Sequence, residues 1–377
     1  MTSETEAALL PGKTRGSDQA RVQRASLLAR LLRRPELGAL SGVILIYAIF
    51  FAVARSSGMF TVEGLVNILH VSAEIGILAV AAALLMIAGE FDLSIGSMIG
   101  FAGIIIGLSA TVYGLPLSYS ILLAFLVCMA IGALNGWITV KTGLPSFIVT
   151  LASLLILRGL TIALTRYING YTQISNITRG DPDSPMISLF SGLVGRSFFV
   201  WMASQGWIDT KTNGLPRIEG LPVSIVWWLG LTVLATWVLL RTRFGNWVFA
   251  TGGDETSARN VGVPVHRVKI LLFVLTAMSA VLFAATQVLE VSSADTLRGT
   301  QKEFDAIIAV VIGGTLLTGG YGSAVGALLG ALIYGTVQIG ILYTGVDSDL
   351  FKVFLGVMVL LAVLFNNYVR RRATAPR

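Results

Sequence analysis

Cysteine is nearly absent: the 377 residues include one, Cys128, set inside an apolar run. An intrachain disulfide is therefore excluded, and no cysteine spacing suits a structural metal. Histidine is almost as scarce. His70 and His266 lie far apart, and neither sits in an HExxH frame. No GxSxG string occurs, and Gly12-Lys13-Thr14 has the form of a phosphate-loop ending but with Ala7 where the first glycine belongs. Nothing in the chain offers a means of hydrolysing a nucleotide or any other substrate. No catalytic residue, metal or cofactor is expected, and the chain is not read as an enzyme. Charge is the third scarcity: Asp, Glu, Lys and Arg make up 12% of residues, against about 25% in an ordinary soluble domain.

What replaces charge is apolar sequence. Hydrophobic residues account for 55% of the chain, and the mean hydropathy is +0.80. Ten segments approach the length needed to cross a bilayer: 38–56, 71–89, 94–113, 117–140, 147–165, 223–240, 268–290, 304–317, 321–343 and 349–367. The shortest, 304–317, ends in glycines. The expected fold is therefore all-α, a polytopic membrane protein of about ten transmembrane helices. A polar tail, 1–36, precedes the first span and is too long and polar for a secretory signal. With the N-terminus inside, the inside segments hold 17 Lys/Arg, and the outside ones hold 3 once the long 166–222 loop is set aside. That asymmetry predicts N-in, C-in. The net charge of +7 lies in loops and tails, with no aromatic-interleaved basic surface, so a nucleic-acid partner is excluded.

Two connections are long. The outside loop 166–222 carries Pro182, Pro185, Pro216, Trp201 and Trp207, and its piece Met186–Trp207 is apolar enough to lie at a membrane interface. It is either a decorated loop or a docking surface. The inside island 241–269, RTRFGNWVFATGGDETSARNVGVPVHRVK, has more local design. Asp254 stands at an N-cap position and Glu255 in a first turn. Gly262 follows at C′, then Pro264, which together bound a helix of about two turns over 254–262. Glycines at 96, 100, 103 and 107, and at 322, 326 and 330, mark faces for close packing. A shared GS-x-x-G string (Gly96-Ser97, Gly322-Ser323) hints at an internal repeat.

Two acidic pairs stand at span edges, Glu90 with Asp92 and Glu303 with Asp305. Each pair either caps a helix start or lines a polar pathway. Asn135, polar within the fourth span, joins them as a pathway candidate. Arg158 lies in the middle of LLILRGLTIAL and can cap nothing. It snorkels or pairs with an acid, Glu90 or Asp92 being the first candidates.

The string GEFDLSIGSMIGFAG resembles the G-x-x-DLS-x-GS signature of the ribose/xylose/arabinose-type permeases of bacterial ABC importers. Further matches are ALNGWITVKTGLPSFIVTLASLLILRGL, ATGGDETSARNVGVPVHRVK and EFDAIIAVVIGGTLLTGGYGSAVGALLGALI, in the family's order over most of 64–365. The resemblance implies an inner-membrane subunit working as a homodimer, with a cytoplasmic ATPase and a periplasmic sugar-binding protein as partners and a monosaccharide as cargo. It makes 37–369 the permease domain, 166–222 a periplasmic loop and 370–377 a cytoplasmic tail. It makes 241–269 the coupling loop, whose helix (Asp254, Glu255, Thr256, Ser257, Ala258, Arg259, Asn260, Val261 and Gly262) sits in a cleft of the ATPase. Small Ala258 is expected to face that cleft. Two departures are visible: the 166–222 loop is longer than in compact members, and Glu90-Phe91 replaces the more usual Gly-Ile before DLS. An ABC permease for branched-chain amino acids is the nearest alternative. An ion-coupled carrier would want mid-span cation ligands instead.

Overall fold

A computed structural model describes residues 35–212, 215–347 and 349–374. The tail up to residue 34, with Gly12-Lys13-Thr14, lies outside the described residues. The protein is mostly helical. Among the described residues the first five helices are α1 (Pro35–Ala54), α2 (Val62–Ile87), α3 (Ile95–Thr111), α4 (Leu117–Thr142) and α5 (Ser146–Asn169). After a folded loop come α8 (Val223–Arg241), α9 (Arg243–Gly253), the short α10 (Glu255–Asn260), α11 (Val265–Val291), α12 (Lys302–Ile312), α13 (Ala324–Thr344) and α14 (Leu350–Thr374).

Among the described residues, seven helices are long and apolar enough to cross a membrane: α1, α2, α4, α5, α8, α11 and α13. Three expected spans are realised differently. The segment 94–113 is the 17-residue α3, and 349–367 falls in α14, whose described apolar part is Leu350–Leu364. The segment 304–317 is helical only as far as Ile312, in the 11-residue α12. Its backbone then leaves the helix at Gly313, because the glycines of 313–322 make helix propagation unfavourable.

Non-helical backbone at membrane depth survives only if its polar groups find partners. They do. Before α3, Phe91 N–H donates to Ser146 Oγ (3.0 Å), Leu93 N–H to Thr150 Oγ1 (3.0 Å) and Ser94 N–H to Asp92 Oδ1 (2.9 Å). After α12, Leu316 N–H donates to the Tyr321 carbonyl (3.1 Å) and Gly320 N–H to the Ile87 carbonyl (2.8 Å). That last bond needs close backbone approach: a Cβ on Gly252, which lies beside it, would collide with the Ile87 carbonyl.

The helices pack in an exchanged pattern. α2 lies along α13 and α12 as α11 lies along α4 and α3. α3 meets α4 and α5 as α12 meets α13 and α14, and α2 and α11 pack on each other. The set α2–α5 thus corresponds to α11–α14. His70, near the start of α2, sits against Glu290, near the end of α11, so those two helices run antiparallel. The correspondence matches Glu90-Phe91-Asp92, just ahead of α3, with Glu303-Phe304-Asp305, in the first turn of α12. It does not match the two GS-x-x-G strings, which fall on α3 and ahead of α13, elements that the packing does not equate.

α2, α11 and α13 are mostly buried, whereas α1, α4, α5 and α8 turn apolar residues such as Leu126, Trp137, Leu155, Val233 and Trp237 outward. Lipid covers such surface at little cost, so helix contact relies on close packing of small residues. Gly326 and Gly330 supply it, with the α12 end at Gly313 and Ala309 against them. The α3 glycines do so only in part. Gly100 lies under the carbonyls of Thr296 and Arg298, in the irregular segment before α12.

The expectation of an all-helical chain needs one correction. The 170–222 loop contains β1 (Gln173–Ser175), α6 (Pro185–Ser191), β2 (Leu193–Val194), α7 (Arg196–Ser204) and β3 (Leu221–Pro222), and β4 (Ser293–Asp295) follows α11. β1 pairs antiparallel with β4, Ile174 opposite Ala294, and β2 with β3. The apolar piece Met186–Trp207 is largely these two short helices. The first of them, α6, is held down by Trp227 on α8, whose Nε1 donates to the Leu189 carbonyl (2.9 Å) and whose ring stacks on Phe190 at 5.9 Å.

Candidate functional site

The island folds as its punctuation requires. Asp254 caps α10, its Oδ1 accepting from Ser257 N–H at 2.8 Å. At the other end Val263 N–H donates to the Ala258 carbonyl (3.0 Å) and Gly262 N–H to that of Arg259 (2.9 Å), with Gly262 at φ +85°. This is the Schellman closure, in which a left-handed C′ glycine satisfies the last carbonyls of a helix. The helix proper is six residues, 255–260, so it is too short to persist without its caps and neighbours.

One feature differs from the sequence expectation. Ala258 is buried, at 3% exposure, against its own chain. A small residue is needed there because α10 lies on the protein's own body. The outward face consists of Thr256, Ser257, Arg259, Asn260 and Val261. Val261 is 79% exposed, a lone apolar side chain on a polar helix end.

From α10 a line of charge runs inward. Glu255 pairs with Arg259 one turn on and with Lys269 Nζ at 2.6 Å. Lys269, in the second turn of α11, also meets Glu90 Oε1 at 2.6 Å. Lys269 and Glu90 are each only 11% exposed at the side chain. Burial opposes the charge on Glu255, but Lys269 and then Arg259 outweigh it and hold the carboxyl below its ordinary range. Two residues beyond Glu90, Asp92 is buried. Its Oδ1 accepts from Ser94 N–H and Oγ, and its Oδ2 accepts from Thr276 Oγ1 on α11 at 2.6 Å. Asn135 on α4 donates to Ser94 Oγ at 3.2 Å. Glu90, Asp92 and Asn135 thus meet in one network joining α3, α4, α5, α10 and α11.

The second acidic pair stands apart from it. Glu303 is buried, with its Oε2 lacking a hydrogen-bond partner, and it presses on α3 where a Cβ at Gly96 would strike it. Asp305 takes Lys302 Nζ at 3.2 Å and faces Tyr334. Arg158 lies near Glu303, whose carboxylate it attracts. Its expected pairing with Glu90 or Asp92 is therefore wrong: Lys269 occupies Glu90, and Ser94 and Thr276 occupy Asp92.

Sequence reasoning passed over Lys269, Thr276, Ser146 and Thr150. Lys269 carried a usable signal, being a cation set beyond the start of an apolar run, where it must find an acid.

A multi-pass membrane protein with two interrupted helices in exchanged positions, and one capped helix tied to the bundle by charge, is built for transport. The family model described as "Branched-chain amino acid transport system / permease component" matches residues 64–363, and the chain belongs to that family. Among curated proteins it is 34% identical over 328 residues to the ribose import permease protein RbsC of Escherichia coli (strain K12), covering 86% of this chain and 92% of that protein. It is 29% identical over 363 residues to the xylose transport system permease protein XylH of the same strain, covering 88% and 91%. To that strain's probable ABC transporter permease protein YphD it is 30% identical over 339 residues, covering 90% and 91%.

Proposed function

We propose that this chain is the membrane-spanning subunit of an ABC importer that moves a monosaccharide across a bacterial inner membrane, powered by ATP hydrolysis in a separate subunit. The observation carrying this reading is the likeness to ribose and xylose permeases over 86% and 88% of this chain. It is joined to a capped helix that presents polar residues outward and is tied inward to the α2–α3 break. The chain makes ten crossings, with α3 and α12 each completing one together with non-helical backbone, and both termini face the cytoplasm. The excess of Lys/Arg in 241–269 and the tails supports that orientation. The meeting of Gly252, Gly320 and Ile87 at one end, opposite the β1–β4 ribbon, is consistent with it.

In this reading the chain works as a homodimer, the 166–222 loop receives a periplasmic sugar-binding protein, and 241–269 is the coupling loop. The ATPase grips the outward face of α10, and Glu255 passes its displacement through Lys269 to Glu90. Displacing Glu90 would move the turn that opens α3, and with it Asp92, Thr276 and Asn135.

The test is reconstitution in proteoliposomes with the cognate ATPase and binding protein. ATP hydrolysis should require the ATPase subunit and rise with sugar-loaded binding protein, and sugar should enter. Uptake by this chain alone on a proton or sodium gradient would overturn the reading. The family description favours a second cargo, branched-chain amino acids, and leucine uptake in place of sugar would select it.

A further inference from the structure

At the end of the bundle away from α10, His70, Glu74 and Glu290 bring one ligand atom each within 4.8 Å of one another. His70 and Glu74 are one turn apart on α2, and Glu290 is in the last turn of α11. His70 Nε2 lies 3.4 Å from Glu290 Oε2 and 3.8 Å from Glu74 Oε1. Among the described residues this is the one such group.

The distances are informative because they are long for a hydrogen bond and close to the spacing of ligands on one cation. An N–H···O bond spans about 2.7–3.2 Å, and His70 Nε2, although shielded from solvent, has no hydrogen-bond partner. A tetrahedral zinc ion with ligands at about 2.0–2.2 Å sets those ligands roughly 3.3–3.6 Å apart, the tetrahedral edge. The His70–Glu290 distance falls in that range, the His70–Glu74 distance slightly exceeds it, and the third separation is within 4.8 Å. Gln287 Nε2 donates to Glu74 Oε1 at 2.8 Å, the kind of outer contact that orients a ligating carboxylate. Arg298 is the nearby cation, but its Nη1 is engaged by the Ser293 carbonyl at 2.8 Å. The Glu290 side chain is 43% exposed, which leaves an entry path.

We propose that His70, Glu74 and Glu290 form a binding site for a divalent metal of the zinc type, with three protein ligands and a fourth position open to water. The ion joins α2 to α11, the two helices at the centre of the exchanged packing, at the end opposite α10. This inference does not rest on the identity of the transported cargo.

The test uses the full chain in detergent, stripped with EDTA and titrated with Zn2+ against a competing fluorescent chelator. Thermal unfolding is followed in parallel, because a ligand of the folded state raises Tm. One equivalent should bind and raise Tm. Binding and shift should both be lost in His70→Ala, Glu74→Gln and Glu290→Gln, and kept in His266→Ala, which alters the exposed second histidine. Co2+ in place of Zn2+ should give the visible absorption of a four-coordinate site. Glu290→Gln decides the matter if the other variants fail to fold, since it lies at a helix end and is half-exposed. Absence of saturable Zn2+ binding to the wild-type chain, or equal binding by Glu290→Gln, would overturn the proposal.

Discussion

The tripeptide Glu-Phe-Asp occurs twice, at 90–92 and 303–305, at corresponding points of the two halves, and the two copies are provisioned differently. At 90–92 every carboxylate has a partner: Lys269 for Glu90, and Ser94 and Thr276 for Asp92. At 303–305 Asp305 has Lys302 and Tyr334, and the Glu303 carboxylate is met by backbone N–H groups of its own turn. Glu303 is buried with an unpartnered oxygen beside Arg158. The same tripeptide, just ahead of α3 in one half and in the first turn of α12 in the other, is thus held by side-chain partners in the first copy and only in part in the second. The difference lies in what faces them. A lysine faces the first copy from the start of α11, whereas a glycine of α3 faces the second. Local sequence identity sets where a carboxylate stands, and the packing partner sets what it can do.

The largest effect expected from breaking this contrast is at Lys269. Lys269→Met leaves Glu90 buried and unpaired, and removing one member of a buried ion pair costs about 3–5 kcal/mol. Partial exposure at Glu255 trims the effect on that side. Thermal unfolding in detergent should show a large drop, and Glu90→Gln added to Lys269→Met should recover part of it. Strict additivity of the two changes would refute the pairing.

Next comes Asp254→Ala, which removes the cap of α10 and costs about 1 kcal/mol locally. Because α10 is peripheral, this should appear as faster amide exchange over 255–260 with little change in global melting. Smaller again is Glu303→Gln. With no bond to Oε2 to lose, it should lower Tm less than Glu90→Gln does. A loss like that of Glu90→Gln would show that the two copies are alike after all.

Acid supplies the mildest perturbation. The Glu255 carboxyl titrates below its ordinary 4.5 because Lys269 and Arg259 outweigh its burial. A depressed carboxylate contributes stability above its unfolded pKa and loses it as pH falls through the folded one. The protection factors of the α10 amides, taken against the intrinsic exchange rate at each pH, should therefore be flat from neutral pH down to about 5 and fall only below that, and Glu255→Gln should abolish the fall.

Short-range features were the legible ones. Asp254, Gly262 and Pro264 act within one turn of chain, so the caps of α10 could be read from the letters. Spans showed as apolar runs, 304–317 among them, but the end of α12 at Ile312 did not show, because an eleven-residue helix continued by glycines has the hydropathy of a crossing without its backbone. The acid network was half visible. Glu90, Asp92 and Asn135 were singled out, but Lys269 and Thr276 stand far along the chain, and no spacing rule links them. Arg158 was recognised as needing an acid and was matched to the wrong copy of the tripeptide. Ala258 was read as small for a partner's sake, and only its burial shows that the constraint is internal. The two β ribbons left no signal, since strands of two or three residues are shorter than any alternation that could reveal them.

In the proposed mechanism α10 moves the α2–α3 break through Glu255 and Lys269. Glu255→Gln cuts that bridge at its exposed end and leaves the Lys269–Glu90 pair in place. The measurement is sugar imported per ATP hydrolysed in proteoliposomes containing the cognate ATPase and binding protein. The variant should bind the ATPase and hydrolyse ATP, with the ratio falling well below that of the wild-type protein. An unchanged ratio in a folded variant would contradict the account.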